Sequence, residues 1–157
     1  MAAAAEKAGW GRPRPGRQLG FAYHRCFGSH VAQCVEISVE PKGLILHRVV
    51  CAVDCGPLVN PDTVKAQMES GIVMGLSAAL KERILLEEGR VVSNNFDSYP
   101  ILRMGEAPRR IDVFLIQGQK ELGGVGEPGT PPAAPALANA LFAATGRRAE
   151  SLPLRLS

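Results

Sequence analysis

Two apolar runs separated by Pro41, Lys42 and Gly43 constrain this chain more than any other feature. Between Val31 and Val39, the side chains of Val31, Val35, Ile37 and Val39 share one face of a period-2 pattern. Ala32, Cys34, Glu36 and Ser38 lie opposite, which is the signature of a half-buried strand. Leu44 to Val53 is almost continuously apolar, broken only by His47 and Arg48, as suits a central strand. The turn residues between the two runs fold the second back on the first, so the chain is committed to a β-hairpin.

Helical signals follow. Asn60 is a natural N-cap, Pro61 occupies the first helical position, and Asp62 adds negative charge to the first turn. Val64, Met68, Ile72, Leu76 and Leu80 then recur every four residues, predicting a helix to about Leu80. Gly71 and Gly75 on the adjacent stripe cost about 1 kcal/mol each relative to alanine, so each calls for a packing or ligand reason. Ile84–Leu86 and Val91–Val92 flank Glu87–Arg90 as a second, short hairpin. Ile111–Gln117 reads as a strand with Phe114 and Ile116 opposite Val113 and Leu115. Ala133–Thr145 reads as a helix closed by Gly146 at the C′ position. Residues 2–18, Ala-rich and then rich in Gly, Pro and Arg, read as a short helix at most, followed by a linker. The fold class is α+β: a mixed or antiparallel sheet with two main helices packed on it.

Composition narrows the functional classes. Of 157 residues, 46% are apolar and 21% charged, enough for one packed core. A net charge of +3 and an aromatic set of five Phe, two Tyr and one Trp argue against a nucleic-acid partner. No run approaches the roughly 20 apolar residues of a membrane span, and MAAAAEK lacks the pattern of a secretory signal. A soluble protein is expected, with cytoplasm and periplasm unresolved. Cys26, Cys34, Cys51 and Cys55 contain no C-x-x-C pair, and His24, His30 and His47 form no i, i+4 pair with another ligand. No metal site is expected from side chains alone.

The stretch from Gly123 to Pro132 is the most unusual in the chain. Gly124, Gly126 and Gly129 match G-x-G-x-x-G, the pattern of a dinucleotide fingerprint. However, Pro128, Pro131, Pro132 and Pro135 remove the backbone N–H groups that a phosphate cradle needs. Glu127 is the alternative focus. A carboxylate held between Gly126 and Pro128, with little side chain around it, could serve as a general base. Equally, it could cap the helix that follows. The turn Cys55–Pro61 has similar punctuation, and Gln67 is a polar residue beside the apolar stripe, solvent-facing or functional.

Taken together, these segments resemble a known family. V-D-C-G-P-L-V-N-P-D…Q-M-E-S-G-I-V-M-G-L-S (Val53–Ser77) followed by G-G-V-G-E-P-G-T-P-P (Gly123–Pro132) is similar to the C-terminal part of the molybdenum-binding large subunit in the xanthine dehydrogenase and aldehyde oxidase family. The flanks A-E-K-A-G-W-G (Ala5–Gly11), F-G-S-H-V-A-Q-C-V-E-I-S-V (Phe27–Val39) and P-A-L-A-N-A-L-F-A-A-T-G (Pro135–Gly146) resemble the branch of that family formed by the isoquinoline 1-oxidoreductase beta chain. Ala66 and Ser70 stand where many relatives carry glycine, a variation compatible with that branch.

The resemblance implies hydroxylation of an aldehyde or N-heterocycle with oxygen from water, at a molybdenum held by a pterin, molybdopterin. The cytosine dinucleotide form of that cofactor is compatible with it. It makes Glu127 the base acting on the attacking hydroxyl and Gln67 a contact of the pterin. Gly126, Gly71 and Gly75 become places where backbone and cofactor come close. Electrons would leave through iron–sulfur clusters carried by a partner, a small 2Fe–2S subunit, and the remainder of the molybdenum-binding subunit would be a second partner. On this reading, residues 1–18 are a linker or residual helix and residues 19–157 a C-terminal segment of the molybdopterin-binding domain. Family large subunits are several times longer, so the chain is expected to be either a piece active only when assembled or a truncated, non-catalytic remnant or interaction module.

Overall fold

The computed structural model describes residues 1–155. Helix α1 (Ala2–Ala8) is followed by strands β1 (Gln18–Cys26), β2 (Ser29–Glu40) and β3 (Gly43–Asp54). Helix α2 (Pro61–Leu80), the short strands β4 (Leu86–Glu87) and β5 (Arg90–Val91), β6 (Ile111–Ile116) and α3 (Ala133–Thr145) complete the order. The main sheet runs β1-β2-β3-β6. β1, β2 and β3 pair antiparallel, whereas β6 pairs parallel with β3, with Val49 opposite Ile111 and Asp54 opposite Ile116. The sheet is therefore mixed, because the connection from β3 to β6 crosses over through α2.

The helix boundaries follow local chemistry. Asn60 Oδ1 accepts from the backbone N–H of both Asp62 and Thr63, each at 3.1 Å, and Pro61 opens α2. Gly146 closes α3 in the left-handed region at φ 71°. Glu88 and Gly89, at φ 49° and 75°, form the turn of the β4–β5 hairpin where Glu87–Arg90 predicted one.

The main core lies between one face of the sheet and helices α2 and α3. Val31, Val35, Ile37, Val49, Cys51 and Val53 meet Met68, Ile72, Leu76, Ala136, Leu137 and Ala140 there, all 1% exposed or less. A shift of register at Glu36/Ile37 pairs Arg48 with Glu36 but Leu46 with Ile37, skipping His47. The extra residue puts Leu46 on the same face as Val49 and lets the whole apolar run serve one core.

Two features depart from the sequence expectations. β2 is buried on both faces from Val31 to Ser38 rather than half-buried. Its second face is covered: Ala4 of α1 packs with Ala32 and Ala52, while Leu19, Cys34 and Val50 meet Ala8, Phe21 and Phe114. The short helix expected at the start of the chain is thus docked on the sheet. β1, not expected, is the second. α3 crosses it so closely that a Cβ on Gly20 would overlap the backbone of Ala136 and Ala140. The alanine-rich face of α3 and Gly20 are matched to that approach.

Candidate functional site

The position of Glu127 is set by the segment 117–132 between β6 and α3, and by where that segment is tied down. At its start the Asp54 carboxylate, at the end of β3, accepts from the N–H of Gly118 at 3.0 Å and of Gln119 at 3.4 Å. Gln119 Nε2 donates to the carbonyls of Gly28 (2.8 Å) and Glu121 (3.1 Å). Gly123 N donates to Cys55 O at 2.8 Å and Gly124 N to Phe27 O at 2.7 Å. Ser29 Oγ donates to Gly124 O at 2.6 Å. Gly56, at φ 76°, permits this approach, since a Cβ there would overlap the Glu121 carbonyl. The glycine of the Cys55–Pro61 turn thus seats the chain's own loop.

The second half of the segment lies on α2 and the core. Gln67 Nε2 donates to Gly126 O at 3.3 Å, Thr130 Oγ1 to Gly71 O at 3.1 Å, and Gln33 Nε2 to Gly129 O at 2.6 Å. Thr130 N donates to Glu127 O at 2.9 Å, closing a turn around Pro128 and Gly129, both buried. Glu127 therefore sits between two anchored carbonyls while its own side chain is exposed. Its charge is felt at the end of β1: the Cys26 thiol is pushed above its ordinary value, first by burial and then by Glu127.

The structure brings Gln67, Gly126 and Glu127 together at one surface and gives Gly71 a different neighbour. The space beside Gly71 is filled by Gly129 Cα and Thr130 N, each 3.2 Å from where its Cβ would be. Gly75 similarly faces Thr130 O at 2.7 Å and Ala133 Cβ at 2.8 Å. Both glycines of α2 are spent on docking the loop, so the approach expected at Gly71 is made by the chain itself. The capping role for Glu127 is also excluded. α3 begins at Ala133 with Pro132 in the N-cap position and no side-chain cap. Gln33, Ser29 and Asp54, which hold the loop, were not singled out from the sequence. The available signal was Gln33, a polar residue interrupting the apolar face of Val31, Val35 and Ile37. Among the described residues, no group of three or more His, Cys, Asp or Glu could hold a metal ion, and no helix is long and apolar enough to cross a membrane.

The fold of this chain is similar to a segment of larger solved oxidoreductases. Quinoline 2-oxidoreductase from Pseudomonas putida 86 matches with a TM-score of 0.68 at 22% identity, over 80% of this chain and 17% of that one. The Cu,Mo-CO dehydrogenase matches at 0.64 and 22%, over 75% and 16%. The sequence pattern of the molybdopterin cofactor-binding domain matches residues 5–108, and the chain belongs to that family. The match includes Gln67 and Gly71 and ends before Gly126 and Glu127. Among curated relatives, the beta chain of isoquinoline 1-oxidoreductase from Brevundimonas diminuta is 42% identical over 142 residues, 89% of this chain and 18% of that protein. A nicotinate dehydrogenase subunit from Pseudomonas putida is 38% identical over 149 residues, 88% and 12%. The chain thus spans less than a fifth of the length of either relative.

Proposed function

We propose that this chain is the C-terminal segment of a molybdopterin-dependent hydroxylase, with residues 19–157 forming part of its cofactor-binding unit and Glu127 acting as general base. One observation carries this reading: Glu127 is fixed on both sides, through Gly126 and Gly129, while its carboxylate stays exposed. A general base has to be positioned and reachable at once. Glu127 would take the proton from the water-derived hydroxyl as it attacks a C–H carbon. The relatives named for isoquinoline and nicotinate support an N-heterocycle, with an aldehyde as the other class.

The residues present fit one edge of the cofactor. Gly126 is exposed and a Cβ on it would meet nothing within 4 Å, so a planar group has room against its backbone. Gln67 stands at the Gly126 carbonyl with its amide half-exposed and offers both donor and acceptor. Gln67 and Gly126 would hold molybdopterin there, in its cytosine dinucleotide form or another. When bound, the cofactor supplies the redox chemistry, and this chain supplies position and proton transfer. The remainder of the molybdenum-binding subunit and a small 2Fe–2S subunit are the partners on this reading.

The test is Glu127→Gln in the assembled enzyme, with cofactor content measured alongside. Loss of a general base lowers turnover by about 10²–10⁴-fold with molybdenum content unchanged. Turnover within tenfold of wild type would sink the assignment. A second reading, a non-catalytic remnant or interaction module keeping the fold, is favoured by the open surface around Glu127. Stoichiometric molybdenum in the lone purified chain would exclude it.

A further inference from the structure

We propose that Phe27 is a substrate-contacting residue, its ring forming an aromatic wall beside Glu127 that favours a planar N-heterocycle over an aliphatic aldehyde. This rests on Glu127 being the base. Phe27 and Gly28 are the two residues between β1 and β2, at φ 51° and 76°. A two-residue hairpin loop with positive φ at both positions is the type I′ turn, whose first position suits Asn, Asp or Gly and strains a bulky side chain. The fold does not use the ring in return: Phe27 is 65% exposed, whereas Phe21 on the same hairpin packs against Ala32 and Ala52. A strained backbone carrying an exposed aromatic ring works against stability twice, and backbone outliers of this kind cluster at functional sites.

The location gives the ring a use. The Phe27 carbonyl accepts from Gly124 N at 2.7 Å, which ties the turn to the loop three residues before Glu127. A Cβ on Gly124 would lie 3.0 Å from Phe27 Cβ and 3.8 Å from Cγ, so only glycine there leaves the base of the ring undisturbed. Cys26, directly before Phe27, is the thiol that feels the Glu127 charge. The turn of Phe27 is therefore tied to the loop whose Gly124, Gly126 and Glu127 are all exposed. A flat aromatic ligand can pack on such a ring in offset or edge-on geometry, a gain that an aliphatic chain lacks.

The experiment compares Phe27→Asn and Phe27→Leu in the assembled enzyme, with Glu127→Gln as reference, and follows thermal unfolding of the chain. Phe27→Asn relieves the turn and raises Tm, yet raises KM for an N-heterocycle such as isoquinoline by roughly three- to tenfold. KM for a short aliphatic aldehyde stays within about twofold. Phe27→Leu, which keeps apolar bulk without the ring, shows the same KM pattern. A lowered Tm in Phe27→Asn, an unchanged KM for the heterocycle, or equal rises for both substrates overturns the proposal. An inactive Glu127→Gln beside kinetically normal Phe27 variants removes Phe27 alone, whereas an active Glu127→Gln removes the base assignment itself.

Discussion

Gln33 on β2 donates from Nε2 to the carbonyl of Gly129, 2.6 Å away and 96 positions later, in a fully buried bond. It pins the loop carrying Glu127 to the centre of the sheet. Replacing Gln33 by Leu leaves the Gly129 carbonyl buried and unpaired, at a cost of about 1–3 kcal/mol. Urea unfolding measures the loss, and hydrogen exchange at the Thr130 amide reports whether the loop loosens. Unaltered protection there would show that the loop is held without this bond.

Two glycines separate packing from function. A Cβ on Gly20 overlaps the α3 backbone, which has no room to retreat, so Gly20→Ala costs about 3 kcal/mol or more. A Cβ on Gly126 meets nothing, so Gly126→Ala changes stability by less than about 0.5 kcal/mol. In the assembled enzyme the same substitution narrows the space proposed for the pterin, and cofactor content falls. Denaturant midpoints and molybdenum analysis on the same preparations check both halves.

Gln67 contributes little to folding. Its bond to Gly126 is exposed and long at 3.3 Å, so Gln67→Ala costs less than about 1 kcal/mol. The expected phenotype is a normal melting curve with reduced molybdopterin retention after gel filtration. Full retention would remove Gln67 from the cofactor contacts.

Alkali attacks the core through its thiols. Burial pushes Cys34 and Cys51 from 9.0 to about 12, with the Glu36 charge adding to the rise at Cys34. The unfolded chain ionises near the ordinary value, so native stability is intact below about pH 9 and falls as pH rises towards 12. The slope is about 1.4 kcal/mol per pH unit for each thiol. Urea midpoints measured between about pH 8 and 11 should decline accordingly. A flat profile would contradict the burial of these two side chains.

Local chemistry made much of the fold legible. The β2–β3 hairpin, the bounds of α2 at Asn60–Pro61, the small hairpin at Glu88–Gly89 and the close of α3 at Gly146 all follow from periodicity and capping, which act within a few residues. The motifs around Gln67 and Glu127 were equally readable, because unusual glycine and proline clusters stand out in one dimension. β1 escaped notice because Gly20 and Ala22 break its pattern, and the reason for Gly20 is α3, more than a hundred residues later. The second buried face of β2 depends on α1, and the parallel pairing of β6 depends on the α2 crossover.

The sequence by itself determined which residues could carry chemistry. Only the tertiary structure decided how they are used: Gly71 and Gly75 seat the loop, Gly126 stays open, and Glu127 stands clear of α3 with Phe27's turn tied to its loop. Helix caps and strand periodicity are set by neighbours along the chain. The placement of a loop is set by hydrogen bonds such as Gln33–Gly129, which exist only once distant segments have packed.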